Sequence, residues 1–224
     1  SLVERLREQI GQVPGSDIED LRRRIEELEQ ENKELKRDSP SVVIGEKRRD
    51  FRFDSGSPVI KQEFSNALRN RIPDGKGGFY EPPFPQIADE IIKRQERINT
   101  LEIIGHTDGV PLSTSGNLDQ RLPELLARVP GGTKTLSAGS NNDLGLLRAL
   151  ALEQEWLDYV ESYMPVENRE VLRRIRIRCY SAGQTILPIR LDDPKPADFR
   201  KNDPRARRIE MRLTRLAKVT SDEE

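Results

Sequence analysis

The chain has 224 residues, of which 34% are charged and 34% are apolar, and its formal net charge is −1. That balance is too polar for one uniformly globular body, so part of the chain is expected to be solvated helix or loop. A net charge near zero gives no field that would favour nucleic acid or an anionic membrane. One cysteine, Cys179, and one histidine, His106, exclude an internal disulfide framework and argue against a Cys/His zinc site.

Residues 1–38 are predicted to form a helical stem. Within residues 18–35, apolar residues recur at alternating steps of three and four. The heptad a positions are Ile18, Ile25 and Asn32, and the d positions are Leu21, Leu28 and Leu35. Ile at a with Leu at d favours a parallel dimer, and one Asn at a fixes its register. The alternative is a solvated helix packed on its own domain.

Residues 39–217 are predicted to form the folded domain, followed by a disordered tail at 218–224. Phe51 to Phe53 alternate like a short strand, and helical patterns cover 59–71 and 86–98. Glycines and prolines between them, at about 73–85, predict an exposed excursion without regular structure. Its aromatic residues either hold it against the domain, which we favour, or offer a contact surface; they are Phe79, Tyr80 and Phe84.

The second half of the domain contains its clearest strands. An apolar run at 101–104 and strictly alternating runs at 174–179 and 208–213 predict strands, the last two with one buried face. A long helix is predicted over 142–163. Leucines and a valine are expected to line its apolar face: Leu146, Leu150, Leu157 and Val160. A second insertion, 109–140, contains a helical pattern from Leu118 to Val129.

These elements predict an α+β fold of order β-α-β-α-β-β. A mixed sheet is covered by helices on one face and is wet on the other. The strand at 101–104 ends just before Asp108, and Asn141, Gly145 and Arg148 share one stripe of the long helix. By helical spacing, Arg148 is expected to point away from the apolar face. Gly145 on the same stripe would leave room for a ligand or another backbone.

An aspartate and an arginine that face one shallow site can hold a zwitterion. The carboxylate accepts from an ammonium, and the guanidinium binds a carboxylate with two hydrogen bonds. The simpler alternatives are a salt bridge between Asp108 and Arg148, or two unrelated surface charges.

Five motifs occur in an order that resembles the OmpA-like, or OmpA/MotB C-terminal, peptidoglycan-binding domain. They are Phe53-Asp54-Ser55-Gly56-Ser57, Gly105-His106-Thr107-Asp108, Asn141-x-x-Leu144-x-x-x-Arg148-Ala149, Gly183 followed by Pro188, and Arg207-Arg208-Ile209-Glu210. The resemblance covers roughly residues 50–216. Val110-Pro111 and the stem resemble the MotB-type branch.

The resemblance implies that Asp108 and Arg148 bind the amino and carboxylate groups of diaminopimelate in the peptidoglycan stem peptide. It also implies that Asn141, Leu144 and Thr107 line the pocket. Arg207 is a secondary candidate, because the first arginine of the matching pair lies near the ligand in the family. This chain departs from the family pattern at Gly145, at Ala206 and in the long connection 109–140.

The expected function is therefore non-catalytic binding of peptidoglycan by a homodimer in the periplasm or cell envelope. We expect a fragment whose missing N-terminal segment tethers it to the inner membrane and to a channel or motor subunit, as in a MotB-like stator or a simpler wall linker. The alternative is a scaffold that binds a protein through 109–140. The sequence shows no base–nucleophile pair, metal set or phosphate loop, so neither an enzyme, such as a hydrolase using His106 and Asp108, nor a cofactor is expected. Cys179 is expected to be inert core.

Overall fold

The computed structural model of the chain describes residues 22–27, 41–44, 51, 53–73, 75, 77–118, 120, 136–188, 192 and 194–216. The chain divides into two compact units, Ser1–Pro40 and Ser41–Glu224. Residues 22–27 of the first unit are helical. The other heptad positions, most of the helix expected over 118–129 and the tail 218–224 lie outside the described residues, so these remain predictions. Within the described ranges, no helix combines the length and apolarity needed to cross a membrane.

The second unit alternates strands and helices around a four-stranded sheet. Its strands are β1 (Ser41–Ile44), β2 (Ile72–Pro73), β3 (Phe79–Tyr80), β4 (Thr100–His106), β5 (Arg176–Gly183) and β6 (Ile209–Thr214). Its helices are α1 (Gln62–Arg69), α2 (Pro83–Lys93), α3 (Asn141–Tyr163) and α4 (Val166–Arg173). The predicted α+β class is confirmed, and α4 is an addition that the sequence pattern did not indicate.

The main sheet has the strand order β1-β6-β4-β5. The neighbours β4 and β5 are parallel, and the other pairs are antiparallel. A parallel pair needs a crossover, which α3 and α4 provide. Leu101, Ile103 and Met211 are buried in the main core, whereas the alternating residues Glu102 and Arg212 are partly exposed. The sheet therefore has one buried face, as the alternation predicts.

The prediction of a first strand at Phe51 to Phe53 was wrong, since β1 is Ser41–Ile44 and pairs with β6. Phe51 and Phe53 are both buried, but their rings pack edge-on against Phe64 of α1, with centroids 5.7 and 5.2 Å away. Burial of two aromatic side chains two residues apart produced the strand-like pattern, although neither Phe51 nor Phe53 is in a strand.

The excursion at 73–85 contains more regular structure than predicted. β2 and β3 form a small antiparallel hairpin, and α2 already begins at Pro83. Proline is compatible with the first turn of a helix, because the backbone amide there has no intrahelical partner. Phe84 is fully buried against Trp156, whereas Phe79 is 62% exposed, so only the last aromatic residue of the three holds the segment in the core.

Candidate functional site

A pocket of about 130 Å³ lies beyond the carboxyl ends of β4 and β5. It is lined by Thr107, Asp108, Gly109, Gln184, Ile186, Leu187, Pro188, Asp198, Phe199, Lys201, Asp203, Arg205 and Ala206. The sequence predicted the first two of these residues as site residues. Most of the others belong to the connection between β5 and β6.

The loop after β4 is held from two sides. The amide of Thr107 donates to the carbonyl oxygen of Gly183 at the end of β5 (2.8 Å), and the amide of Gly109 donates to that of Lys201 (3.0 Å). Thr107 and Asp108 are only 1% and 5% exposed as a result. A buried carboxylate at the edge of a pocket needs a cationic partner, because desolvation of an unpaired charge is costly.

Arg207 provides that partner. Its Nε donates to Oδ2 of Asp108 over 2.7 Å, and its Nη2 donates to Oδ1 of Asn202. The two charged side chains are 13% and 6% exposed, so their pair is largely removed from water. Arg207 was expected only as a secondary site residue, and the structure places it directly on the central carboxylate.

Asn141 lies at the first turn of α3, next to the pocket. The helix begins with a capping box, in which Ser140 accepts from the amide of Asp143 and the Asp143 side chain accepts from the amide of Ser140. The side-chain amide of Asn141 donates to the carbonyl oxygen of Val110 and to Oε1 of Gln184, which lines the pocket. This places Asn141 behind the pocket wall.

Two buried oxygen atoms near the pocket have no hydrogen-bond partner within the part of the chain that the structure describes. They are Oγ1 of Thr107 and Oδ1 of Asn141. Buried polar atoms in native proteins are nearly always paired with protein, water or ligand. These two atoms are therefore candidates for hydrogen bonds to a ligand or to solvent.

The expectation that Arg148 points away from the apolar face was wrong, because Arg148 is 1% exposed. Its Nε, Nη1 and Nη2 donate to the carbonyl oxygens of Ser57 (3.1 Å), His106 (3.2 Å) and Asp54 (3.0 Å). Its guanidinium also lies over the ring of Phe53, 4.8 Å from the centroid. Burial lowers the pKa of Arg148 to about 10, against the opposing effect of the Asp108 charge, so the side chain is cationic at neutral pH.

The side of α3 that carries Gly145 and Arg148 faces the sheet, because glycines at the crossing let the backbones of α3 and β4 approach closely. A Cβ atom on Gly145 would overlap Oγ of Ser181, and one on Gly105 would overlap the carbonyl of Gly145. Of the two occupants considered for the space beside Gly145, another backbone is the one observed.

The predicted apolar face of α3 was also misplaced, since Leu146, Leu150 and Leu157 are only partly buried. The buried residues of the helix beyond Arg148 include Ala149, Leu152, Trp156, Tyr159 and Val160.

Leu144 is placed in a second apolar cluster and not on the pocket surface. The cluster contains the buried residues Leu136, Ala138, Leu144 and Leu147. Beside it, the two ends of the 109–140 connection are joined, because Oγ1 of Thr114 donates to the carbonyl of Ala138 (2.8 Å) and the amide of Asn117 donates to that of Ser137 (3.0 Å). Residues 114–117 and 137–138 therefore lie side by side on either side of the connection.

The connection between β5 and β6 forms the wall of the pocket. The sequence did not predict that this connection lies there. Its charges pair within the wall: Lys201 with Asp198 (2.6 Å) and Arg205 with Asp203 (2.7 Å). The proline-rich and aspartate-rich composition of residues 188–204 signals a loop but does not indicate where that loop packs.

His106 is fully buried at the end of β4. Neither ring nitrogen has a hydrogen-bond partner among the described residues. Nε2 lies 3.8 Å from Oε2 of Glu210. Burial, with the neighbouring positive charge of Arg208, lowers the pKa of His106 to about 4. The imidazole is therefore neutral at pH 7.

Cys179 is half-buried beside the core, and its Sγ donates to Oε2 of Glu153 at 3.5 Å. In the described part of the chain, no group of three or more His, Cys, Asp or Glu side chains is arranged to hold a metal ion.

No family model matches the chain, and no curated protein matches it. Among solved structures, one that it resembles is the crystal structure of a MotB-like protein from Desulfovibrio vulgaris. The identity is 14% and the TM-score is 0.40, over 81% of this chain and 76% of that one. A similarity this low supports no inference about the site. The site is therefore assigned from this chain's own residues.

Proposed function

We propose that this protein binds the peptide stem of peptidoglycan through the pocket beyond β4, without catalysis, and that diaminopimelate is the group bound. One observation carries the proposal: a nearly buried carboxylate, Asp108, lies at the pocket with a guanidinium, Arg207, 2.7 Å away. Opposite charges at this spacing match a ligand group with an ammonium and a carboxylate on one carbon atom.

The ammonium would be accepted by Asp108. The hydroxyl of Thr107, which lines the pocket, is an unpartnered atom available to complete its hydrogen bonds. An ammonium has three donors and no acceptor, so a set consisting of oxygen atoms suits it.

The carboxylate would be bound by Arg207. A guanidinium presents parallel N–H donors that fit the two oxygens of a carboxylate. We assign Arg148 a different part in the same proposal. Each of its three guanidinium nitrogens already donates to a carbonyl oxygen, so its part is to fix the end of β4, next to Thr107 and Asp108, from inside the domain.

The alkyl chain of diaminopimelate would lie along the apolar part of the wall. Ile186, Leu187, Pro188 and Phe199 contribute this surface. Apolar contacts of this kind add affinity for a ligand whose charged end has already been placed.

The same proposal includes the setting of the domain. A parallel dimer formed through residues 18–35 would present two peptidoglycan-binding domains. A tether to the inner membrane would make the protein a stator-like unit or a cell-wall linker. The heptad pattern supports the dimer.

Co-sedimentation with purified sacculi that contain diaminopimelate tests the proposal. The wild type should sediment with sacculi, and a soluble diaminopimelate stem peptide should compete. Asp108→Asn, which keeps the shape and removes the charge, should bind at least about tenfold more weakly. Asp192→Asn is the matched control, because Asp192 is an exposed aspartate of the β5–β6 connection outside the pocket lining. Equal sedimentation of Asp108→Asn and wild type would contradict the proposal.

A further inference from the structure

The side chain of Gln184, which lines the pocket, is held in one orientation by Asn141. Nδ2 of Asn141 donates to Oε1 of Gln184 and, over 3.2 Å, to the carbonyl oxygen of Val110. A backbone carbonyl can only accept, so the atom of Asn141 that faces Val110 must belong to the NH2 group. The atom of Gln184 beside the same NH2 group is therefore its oxygen, and the NH2 group of Gln184 lies on the other branch of its amide.

The backbone of Gln184 is fixed by a turn at the end of β5. The amide of Thr185 donates to the carbonyl oxygen of Ala182 over 3.0 Å, which closes the turn around Gly183 and Gln184. Gly183 has a φ of +49°, and a Cβ atom there would overlap Oδ1 of Asn142 in the first turn of α3. The turn and the start of α3 are therefore in close contact, and together they position Gln184.

The NH2 group of Gln184 is available for a ligand. Within the part of the chain that the structure describes, Nε2 of Gln184 donates to no acceptor, and it is not one of the buried atoms that lack a partner. Nε2 is therefore accessible, on a half-buried residue of the pocket lining. Asn141, by contrast, lies outside the lining, and its Oδ1 is buried.

From this arrangement we propose that Gln184 is a ligand-binding residue, whose NH2 group donates to an uncharged oxygen acceptor, and that Asn141 is a positioning residue that acts through Gln184. In a stem peptide this acceptor is the carbonyl oxygen of a peptide bond. The motif resemblance implied instead that Asn141 itself lines the pocket. A donor whose orientation is already fixed loses little conformational entropy when the ligand binds.

An uncharged acceptor suits this part of the pocket better than a further carboxylate does. The donor is neutral, and a hydrogen bond from a neutral group offsets little of the cost of desolvating a charge. The lining already carries three carboxylates against two cations: Asp108, Asp198, Asp203, Lys201 and Arg205. The inference rests on the proposed function and adds a contact outside the ion pair at Asp108.

The test is calorimetric titration of the full chain with the diaminopimelate stem tripeptide. Gln184→Glu keeps an acceptor for Asn141 but replaces the accessible donor by a carboxylate oxygen, so it should bind at least about tenfold more weakly than the wild type. Gln184→Met has a similar length and lacks the amide, so it should bind about three- to tenfold more weakly. Gln62→Glu is the matched control, because Gln62 is an exposed glutamine in the first turn of α1. It should bind as the wild type does.

A double-mutant cycle separates positioning by Asn141 from direct contact with the ligand. Asn141→Ala should weaken binding by about threefold or more, because Gln184 loses the donor that orients its amide. In the Gln184→Met background, the same substitution should change the affinity by less than about twofold. An equal loss in both backgrounds would show that Asn141 contacts the ligand itself and would overturn its positioning role.

Circular dichroism shows whether each variant is folded, and either Gln184 variant is sufficient for the test. A folded Gln184→Glu or Gln184→Met that binds as tightly as the wild type would overturn the inference. It would leave the proposed function standing, since Asp108 and Arg207 are unchanged in these variants. A wild type that does not bind the tripeptide would overturn the proposed function and, with it, the inference.

Discussion

Arg148 donates Nη1 to the carbonyl oxygen of His106, 3.2 Å away, and so joins the long helix α3 to the end of strand β4. The same guanidinium donates to Asp54 and Ser57 in the segment before α1. One buried side chain thus connects three separate parts of the domain: α3, the end of β4 and the segment before α1.

Replacement of Arg148 by lysine should destabilise the domain by about 2–4 kcal/mol, because one ammonium cannot reach three carbonyl oxygens that are spaced for a planar guanidinium. Urea unfolding followed by circular dichroism measures this. Arg169→Lys is the control, since Arg169 is only half-buried and its Nε donates to a single carbonyl, that of Met164; it should cost less than about 1 kcal/mol. Equal stabilities of the two variants would refute the structural role of Arg148.

The crossing of α3 over β4 at Gly145 and Gly105 should tolerate no side chain. Gly105→Ala should lower the free energy of unfolding by about 1–3 kcal/mol, because the added carbon meets the backbone of α3, which cannot rotate away. In a strand without such a contact, the same substitution would stabilise by about 0.5–1 kcal/mol. A stabilised Gly105→Ala variant in thermal or urea unfolding would show that the two backbones are further apart.

Gly145→Ala tests the same crossing from the side of the helix. The added carbon would overlap Oγ of Ser181, so Ser181→Ala in the same chain should recover part of the lost stability. Additive effects of the two substitutions would argue against this contact.

The single histidine of the chain should report the burial of the β4 end. Its pKa is lowered to about 4 in the folded protein, against about 6.5 in an unfolded chain. Between these values the unfolded chain binds a proton that the folded chain does not, so stability falls as the pH decreases from 6.5 to 4. The loss should reach on the order of 3 kcal/mol and stop growing below pH 4.

Proton NMR of the imidazole in untagged protein measures this pKa directly, without interference from other histidines. Unfolding of His106→Phe, compared with wild type across the same pH range, isolates the contribution of His106 from those of Arg208, Glu210 and Arg212, which face it. A measured pKa near 6.5 would contradict the buried, neutral imidazole.

Gly109 should determine how closely the wall approaches the pocket. A Cβ atom there would overlap the backbone of Phe199 and Arg200. Gly109→Ala should therefore displace the wall and weaken stem-peptide binding by about tenfold, since a small shift of one pocket wall removes contacts along its length. Titration calorimetry checks the affinity, and undiminished binding by Gly109→Ala would show that the wall does not define the pocket.

The sequence predicted the parts of the fold in which periodicity and burial coincide. The alternation at Arg174 to Cys179 and at Arg208 to Leu213 identified β5 and β6. Alternate residues of β6 are buried, and in β5 Ile177 and Cys179 are partly buried against the core. The break after the apolar run at 101–104 placed Thr107 and Asp108 correctly beyond β4. Local sequence was sufficient for these features, since neighbouring residues determine them.

The remaining features depend on contacts between residues far apart in the chain. Helical spacing showed that Gly145 and Arg148 share a stripe, but not that Gly105 and Ser181 would cover it. In the same way, the composition of the β5–β6 connection gave no indication that Phe199 packs over Gly109. Arg207 was found only through a motif resemblance, since nothing in its local pattern indicates a partner 99 residues away.

The central claim, a zwitterion site at Asp108, is tested most directly by calorimetric titration of the wild type and Asp108→Asn with the diaminopimelate stem tripeptide. We predict one saturable site per chain in the wild type, lost in Asp108→Asn and retained in Asp192→Asn. A folded wild type that releases or absorbs no heat of binding at any accessible peptide concentration and temperature, or an Asp108→Asn variant that binds as the wild type does, would contradict it.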